Sequence, residues 1–207
     1  MFMHYYGKLK AVPMTLLITV LCLADMWMVN KRYLNDGMFV SPRPVEQKFQ
    51  RTHADDIILL DPNLYYRTLD MTVSTVNSND ASYWHKSIGG YHAAKLRRYQ
   101  EVIEAHISPE MSRLQKAAMD TGGDLLKVNG DSIFPVLNML NMRYVLMKTT
   151  DGNKVPVYNP YAMGNAWPVS SIRWVDNADD ELAAIGTENL HRVAVVDRKF
   201  QDVLGNV

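Results

Sequence analysis

The chain has 207 residues, and its 22 lysines and arginines balance its 22 aspartates and glutamates, so the formal net charge is zero. That balance excludes the basic excess expected of a nucleic-acid binder. The one cysteine, Cys22, excludes an internal disulfide and a cysteine-based metal site, so any folded domain must rely on its apolar core.

The first element is the apolar run Ala11 to Val29 (AVPMTLLITVLCLADMWMV). As a helix rising 1.5 Å per residue it comes close to the ~30 Å hydrocarbon thickness of a bilayer. Its one charge, Asp25, lies near the C-terminal end beside Trp27, and Tyr5, Tyr6 and Tyr33 lie beyond the two ends. Amphipathic aromatics at both edges are what membrane interfaces select. Pro13 falls in the first turn, where it costs no hydrogen bond. We read residues 1–34 as a transmembrane helix with its flanks.

Two other readings compete. In a cleaved signal peptide, Lys8 and Lys10 form the positive region, Val12 to Leu23 the apolar core and Cys22-Leu23-Ala24 the cleavage site. In a soluble protein the run is a buried helix. Apolar character continuing through Met26, Trp27, Met28 and Val29 opposes cleavage, and Leu21 before Cys22 opposes a lipid anchor there.

Residues 35–207 are enough for one domain of ordinary size. Asp36-Gly37 signals a turn, and Ser41-Pro42-Arg43-Pro44 is extended because each proline disfavours helix in its predecessor. Thr52 with Asp55 three residues on starts a short helix that stops at Asp61-Pro62. Tyr65 to Val73 reads as a strand and Asn77 to Asp80 as a loop. After Gly89-Gly90, Tyr91 to Ile107 reads as a helix with Leu96, Tyr99, Ile103 and His106 on one stripe.

Ser108-Pro109-Glu110 closes that helix and opens another, which ends at Gly122-Gly123. Phe134 to Asn141 is a short helix or turn. Tyr144 to Lys148 and Val155 to Tyr158 form a hairpin through Asp151-Gly152. Ala166 to Val175 is a strand, Asn177 to Leu182 caps and starts a helix, and Arg192 to Asp197 is a last strand. Strands alternate with helices without strict regularity, so the class is α/β or α+β, with a mixed sheet and flanking helices.

No phosphate-binding glycine loop, HExxH or GxSxG occurs. His53, His85, His92, His106 and His191 are too scattered for a metal site, so no metal or other cofactor is expected. The carboxylates Asp55/Asp56 and Asp179/Asp180/Glu181 sit at helix starts, where capping accounts for them. One stretch stands out, Ser82 to Gln100 (SYWHKSIGGYHAAKLRRYQ). It gathers Tyr83, Trp84, His85, Lys86, Tyr91, His92, Lys95, Arg97 and Arg98 around a glycine pair suited to close approach or a left-handed turn. A helix beginning near Tyr91 would aim its first amides at an anion. Aromatic faces stack on sugars, and Lys and Arg pair with phosphate. The competing reading is a packed loop with a cationic helix face lying against the membrane surface.

The same residues carry a resemblance. Tyr33-Leu34-Asn35-Asp36, Val73-Ser74-Thr75, His85 to Gln100 (HKSIGGYHAAKLRRYQ), Leu137 to Asn141 (LNMLN) and Asn159 to Trp167 (NPYAMGNAW) occur in this order. The chain from about Trp27 to Asp197 resembles the YfhO family of bacterial membrane proteins in its Bacteroidetes form. The resemblance implies a polytopic protein similar to GT-C glycosyltransferases, which take sugars from polyprenyl-phosphate donors outside the cytoplasmic membrane. This sequence matches one late span and the extracytoplasmic domain after it. The family's catalytic acid lies in an early loop with no counterpart here, so no catalytic residue carries over. The family also continues into a further β-rich domain beyond the strand matching Arg192 to Asp197.

The expectation is therefore a fragment of a polytopic parent protein, its accessory extracytoplasmic domain at the bacterial inner membrane. Its partners would be membrane lipid, a polyprenyl-phosphate sugar, envelope glycan and the parent's remaining spans. Candidate contacts are Tyr83, Trp84, His85, Lys86, His92, Lys95 and Arg98, with Asn159, Asn165 and Trp167 as a second wall. The alternative is a non-enzymatic single-pass module binding an envelope glycan or a partner protein. A secreted domain cleaved at Ala24 is the third reading. Lys8 and Lys10 before the span and Lys31 and Arg32 after it leave its direction undetermined.

Overall fold

A computed structural model describes residues 10–39, 41, 46, 47 and 49–204. Tyr5, Tyr6, Lys8 and the Pro42–Pro44 segment lie outside the described residues. The chain divides into two compact units between Gln50 and Arg51, beyond the 34/35 boundary read from the sequence.

In the first unit, α1 (Ala11–Tyr33) covers the apolar run and continues one turn further. Its 23 residues rise roughly 35 Å at 1.5 Å each. It is long and apolar enough to cross a membrane, and none of its residues is buried. Lys31 and Arg32 occupy its last turn, favourably placed toward the negative end of the helix dipole. A 3-10 turn at Asp36–Met38 follows, where the Asn35 side chain accepts from the Gly37 amide.

The second unit is built on a three-stranded sheet. Strand β1 (Arg67–Asp70) runs parallel to β2 (Met142–Lys148), which pairs antiparallel with β3 (Lys154–Tyr158). Alternation along β2 sends neighbouring side chains to opposite faces, so Val145 and Leu146 enter different cores. Val145, Leu69 and Val157 meet Ile103, Ile107, Leu114, Phe134 and Leu137 in the larger core. On the other face Leu146 packs with Ala54 and Ile58 of α2 (His53–Leu59), together with Tyr66 and Tyr144. The expected capping box is present: the Thr52 hydroxyl accepts from the Asp55 amide, and the Asp55 carboxylate accepts from the Thr52 amide.

The strand expected over Tyr65 to Val73 is shorter at both ends. Asp70 Oδ1 accepts from the Thr72 amide at 2.8 Å and the Thr72 hydroxyl at 2.6 Å, which turns the chain out of the ladder. The helix expected from Tyr91 begins only with α3 (Arg97–Val102). Before it, the Tyr91 amide donates to Asn79 Oδ1, twelve residues away, and the Ala94 amide to His92 Nδ1, and these bonds compete with helix. Leu96, placed on the apolar stripe by periodicity, is instead an extended residue that is 77% exposed.

Ser108-Pro109 does not close this helix. The π-helical turn Ile103–Ile107 joins α3 directly to α4 (Ser108–Thr121). Widening the turn accommodates Pro109, which lacks an amide hydrogen and crowds the preceding turn. The far end of α4 is as expected: Gly122 is left-handed (φ 64°) and the Gly123 amide donates to Ala118 O at 2.7 Å.

Two short helices follow, α5 (Gly130–Ile133) and α6 (Pro135–Met139). The α6 start is buried, and its orphan amides are met by Glu110 of α4, which accepts from Val136 (3.1 Å) and Leu137 (2.9 Å). The hairpin β2–β3 matches expectation. A separate pair of parallel strands, β4 (Ser171–Val175) and β5 (Val193–Asp197), is joined through α7 (Ala178–Ile185). Asn177 caps α7 by accepting from Asp179 and Asp180, as its sequence implies. The strand expected from Ala166 starts at Ser171, because Pro168 has no amide to donate and β5 offers its first partner at Val193. A short helix, α8 (Gln201–Leu204), ends the described chain. The mixture of helices with these two small sheets is consistent with an α/β class.

Candidate functional site

A cleft of about 550 Å³ opens between α3 and the β4–α7–β5 unit. Its walls are mostly apolar: Val102, Met139, Val169, Leu182, Ile185, Leu190 and Val193 to Val195. Arg98, Glu101, Glu181 and Trp167 add charge and an aromatic face. Helical spacing accounts for part of this arrangement, since Arg98, Glu101 and Val102 share one side of α3, and Glu181, Leu182 and Ile185 one side of α7. Trp167 is held as a wall by its indole N–H, which donates to Leu190 O at 2.8 Å. The π turn is tied to α7 by His106, whose Nε2 lies 2.7 Å from Leu182 O.

Beyond the β5 end, Lys199 and, more weakly, Arg98 hold the Asp197 carboxyl below its ordinary range. Arg98 makes no shorter ion pair among the described residues, so its guanidinium is available at the mouth of the cleft. Serine, cysteine, histidine and lysine are all missing from the lining residues. The arrangement suits binding of an amphiphilic ligand: apolar walls for a chain, an indole face for a ring and a guanidinium for an anion.

Of the residues singled out from the sequence, Arg98 and Trp167 come together in this cleft, and the others go elsewhere. His85 is buried, with Nε2 2.8 Å from Asp55 Oδ1, so its ring faces the α2 layer and not solvent. Burial pushes the Asp55 carboxyl upward, but hydrogen bonds from Thr52 and His85 outweigh it and leave the group below its ordinary range. Asn159 is also buried, its amide donating to Asn138 Oδ1 (2.9 Å) and Met142 O (2.6 Å). It pins the end of the hairpin to α6 and lines no wall. Asn165 Oδ1 accepts from Asn141 Nδ2 at 3.2 Å.

Tyr83, Trp84 and Lys86 lie beside α2 and the 61–65 turn, with Trp84 under Arg51 (4.8 Å) and Lys86 over Tyr65 (5.1 Å). His92 is exposed, and Lys95 is half-buried ahead of α3. Both conformational readings of the glycine pair hold: a Cβ on Gly89 would collide with the Thr75 carbonyl, and Gly90 has φ 127°. The anion site expected at a helix start near Tyr91 is overturned, since no helix starts there.

Sequence reasoning missed Glu101, Glu181, Leu182 and Leu190 as site residues. Glu181 was read as part of a cap, although its spacing from Leu182 and Ile185 was the available signal. Among the described residues, no group of three His, Cys, Asp or Glu side chains is placed to hold a metal ion. Compared with known proteins, the chain matches no family model, no curated protein and no solved structure.

Proposed function

We propose that this chain is the membrane-anchored accessory part of a YfhO-like, GT-C-type glycosyltransferase system, and that its cleft binds part of a lipid-linked sugar phosphate. In this reading α1 is a span of the bacterial inner membrane, and the second unit lies on its extracytoplasmic side. The observation that carries the reading is the meeting of Arg98 and Trp167 in one apolar cleft. An isoprenoid chain fits the aliphatic wall, a phosphate fits Arg98, and a sugar ring fits the indole face, with Glu101 and Glu181 as acceptors for hydroxyls. The role assigned here is holding and orienting the ligand.

The test is binding of a radiolabelled polyprenyl phosphate to the full chain in nanodiscs. Arg98→Ala is expected to weaken binding about tenfold or more, as loss of a charge-assisted hydrogen bond of about 1.5–3 kcal/mol implies. Equal affinity in wild type, Arg98→Ala and Trp167→Ala refutes the site. In a longer parent protein, Arg98→Ala lowers sugar transfer without lowering protein level. An immunoblot of source membranes with an antibody to residues 40–207 shows whether such a parent exists. The non-enzymatic reading, an anchored module for an envelope glycan, is favoured if the band runs near 23.6 kDa. N-terminal sequencing giving a mature start at Asp25 rejects the anchor.

A further inference from the structure

We infer that the face built on the end of α2 and the turn after it docks onto the surface of an anionic lipid bilayer. Leu60 and Leu64 are 81% and 73% exposed, and Tyr65 is 63% exposed. They are presented on a fixed turn: the Asn63 amide donates to Asp61 Oδ1 and the Tyr65 amide to Asn63 Oδ1, both at 2.9 Å. Exposed leucines held on a rigid turn are poor for solubility and well suited to insertion among lipid headgroups.

Two cation–aromatic pairs adjoin this turn, and a third lies at the start of α2. Lys86 lies over Tyr65 at 5.1 Å and donates to Leu64 O at 2.5 Å. Arg143 lies over Tyr158 at 5.7 Å, with Nε 2.8 Å from Asp61 Oδ2. Arg51, immediately ahead of the α2 cap, lies over Trp84 at 4.8 Å. Asp56 and Asp61, beside these groups, are each matched by an arginine, Asp56 by Arg51 at 3.7 Å. Lys86 makes no ion pair among the described residues and is spent only on the Leu64 carbonyl. Leucine tips, aromatic rings and long cations that keep their heads in water make up the side-chain set of a membrane interface. Charge complementarity therefore selects an anionic leaflet over a neutral one.

The bilayer is the favoured occupant because the same chain carries α1. This rests on α1 lying in a membrane, as proposed above. Residues 34–50 separate α1 from Arg51, and at ~3.4 Å per residue they reach at most roughly 60 Å. The second unit is thus covalently confined near any membrane that holds α1. The docked face is distinct from the cleft, which none of these residues lines.

The experiment uses the full chain with Cys22→Ser, reconstituted into vesicles of phosphatidylcholine with or without phosphatidylglycerol. A polarity-sensitive fluorophore is placed by Leu64→Cys, by Asp179→Cys as an exposed control on α7, or by Leu17→Cys within α1. Docking predicts that doxyl-labelled lipid quenches the label at 64 more than the one at 179, and more strongly in anionic vesicles. Lys86→Gln reduces the docked-to-undocked ratio about fivefold, the value of one cation near such a surface.

A label at 64 that remains water-exposed, or is quenched no more than the one at 179, overturns the proposal. So does a label at 64 shielded from aqueous iodide but untouched by doxyl lipid, which means that protein covers the face. The label at 17 reports separately on the anchor: its failure to be quenched refutes the membrane reading of α1, whereas quenching at 17 with water exposure at 64 refutes docking alone. Leu64 is mostly exposed, so its substitution leaves the fold intact.

Discussion

Glu110 sits where the fold sets two requirements against each other, and its replacement separates them. Its carboxylate is 1% exposed and caps α6 by accepting from the Val136 and Leu137 amides. Burial pushes its pKa up to about 6 from 4.5, although those two amides and Arg113 pull it down. At 1.36 kcal/mol per unit this difference is worth about 2 kcal/mol. The sign is fixed by proton binding. Between pH 4.5 and 6 the folded state holds the proton that the unfolded state has released, so this contribution is fully present below pH 4.5 and is lost as pH rises through 6.

Glu110→Ala strands two buried amides at about 1–3 kcal/mol each, or about 4 kcal/mol together. At pH 7.5 it also relieves a buried charge that costs about 2 kcal/mol, so the net loss is about 2 kcal/mol. Near pH 4.5 there is no charge to relieve, and the loss grows to about 4 kcal/mol. Glu110→Gln keeps an oxygen for one of the two amides and cannot titrate, so its profile lacks the Glu110 contribution over this window. The assay is urea unfolding of the full chain in detergent, followed by tryptophan fluorescence at closely spaced pH values. Parallel profiles for wild type and Glu110→Gln, or a Glu110→Ala deficit that does not grow on acidification, would refute the reasoning.

Other perturbations test different parts of the fold. Gly89→Ala drives a methyl group into the Thr75 carbonyl, and a clash with backbone is expected to cost about 2–3 kcal/mol in the same unfolding assay. Phe134→Ala empties a fully buried site packed edge-on against Tyr161, with an expected loss of about 3–5 kcal/mol. Asp55 has a lowered pKa, so its contribution is present above pH 3.8 and lost as pH falls through the folded-state value; Asp55→Asn should flatten the acid limb of the stability profile. Tyr144 is pushed up to about 12 by burial and by Asp61, so it contributes stability that is lost as pH rises from 10 through 12, and Tyr144→Phe removes that alkaline dependence.

Local chemistry was legible wherever the partners are close in sequence. The Thr52 cap, the Gly122-Gly123 helix end, the Asp151-Gly152 hairpin and the Asn177 cap all depend on bonds spanning a few residues. The apolar run could be read as a long helix for the same reason, since its hydrogen bonds close within itself. Readings failed where distant residues decide. Tyr91 to Leu96 has a helical pattern, but Asn79, twelve residues away, takes the Tyr91 amide, and the Ala94 and Lys95 amides go to His92. Ser108-Pro109 looks like a break, but the π turn ahead of it absorbs the proline while Ile103 and Ile107 stay in the core.

The candidate site divides in the same way. Composition marked Ser82 to Gln100 as rich in cations and aromatics, and proximity in sequence suggested one surface. Packing separated them: His85 went inward to Asp55, Lys86 stayed on the outer turn with Tyr65, and Arg98 reached the cleft with Trp167. By itself, the sequence determined the apolar helix, the caps and turns and the alternation of helices with strands, because these follow from periodicity and short-range hydrogen bonding. Only the tertiary structure decided that Glu110 caps a helix twenty-six residues away and that Asn159 is a core pin. It also decided that Arg98 shares a cleft with residues of the β4–α7–β5 unit. Those outcomes depend on which buried polar groups find one another once the sheet faces are covered, and no local pattern encodes that pairing.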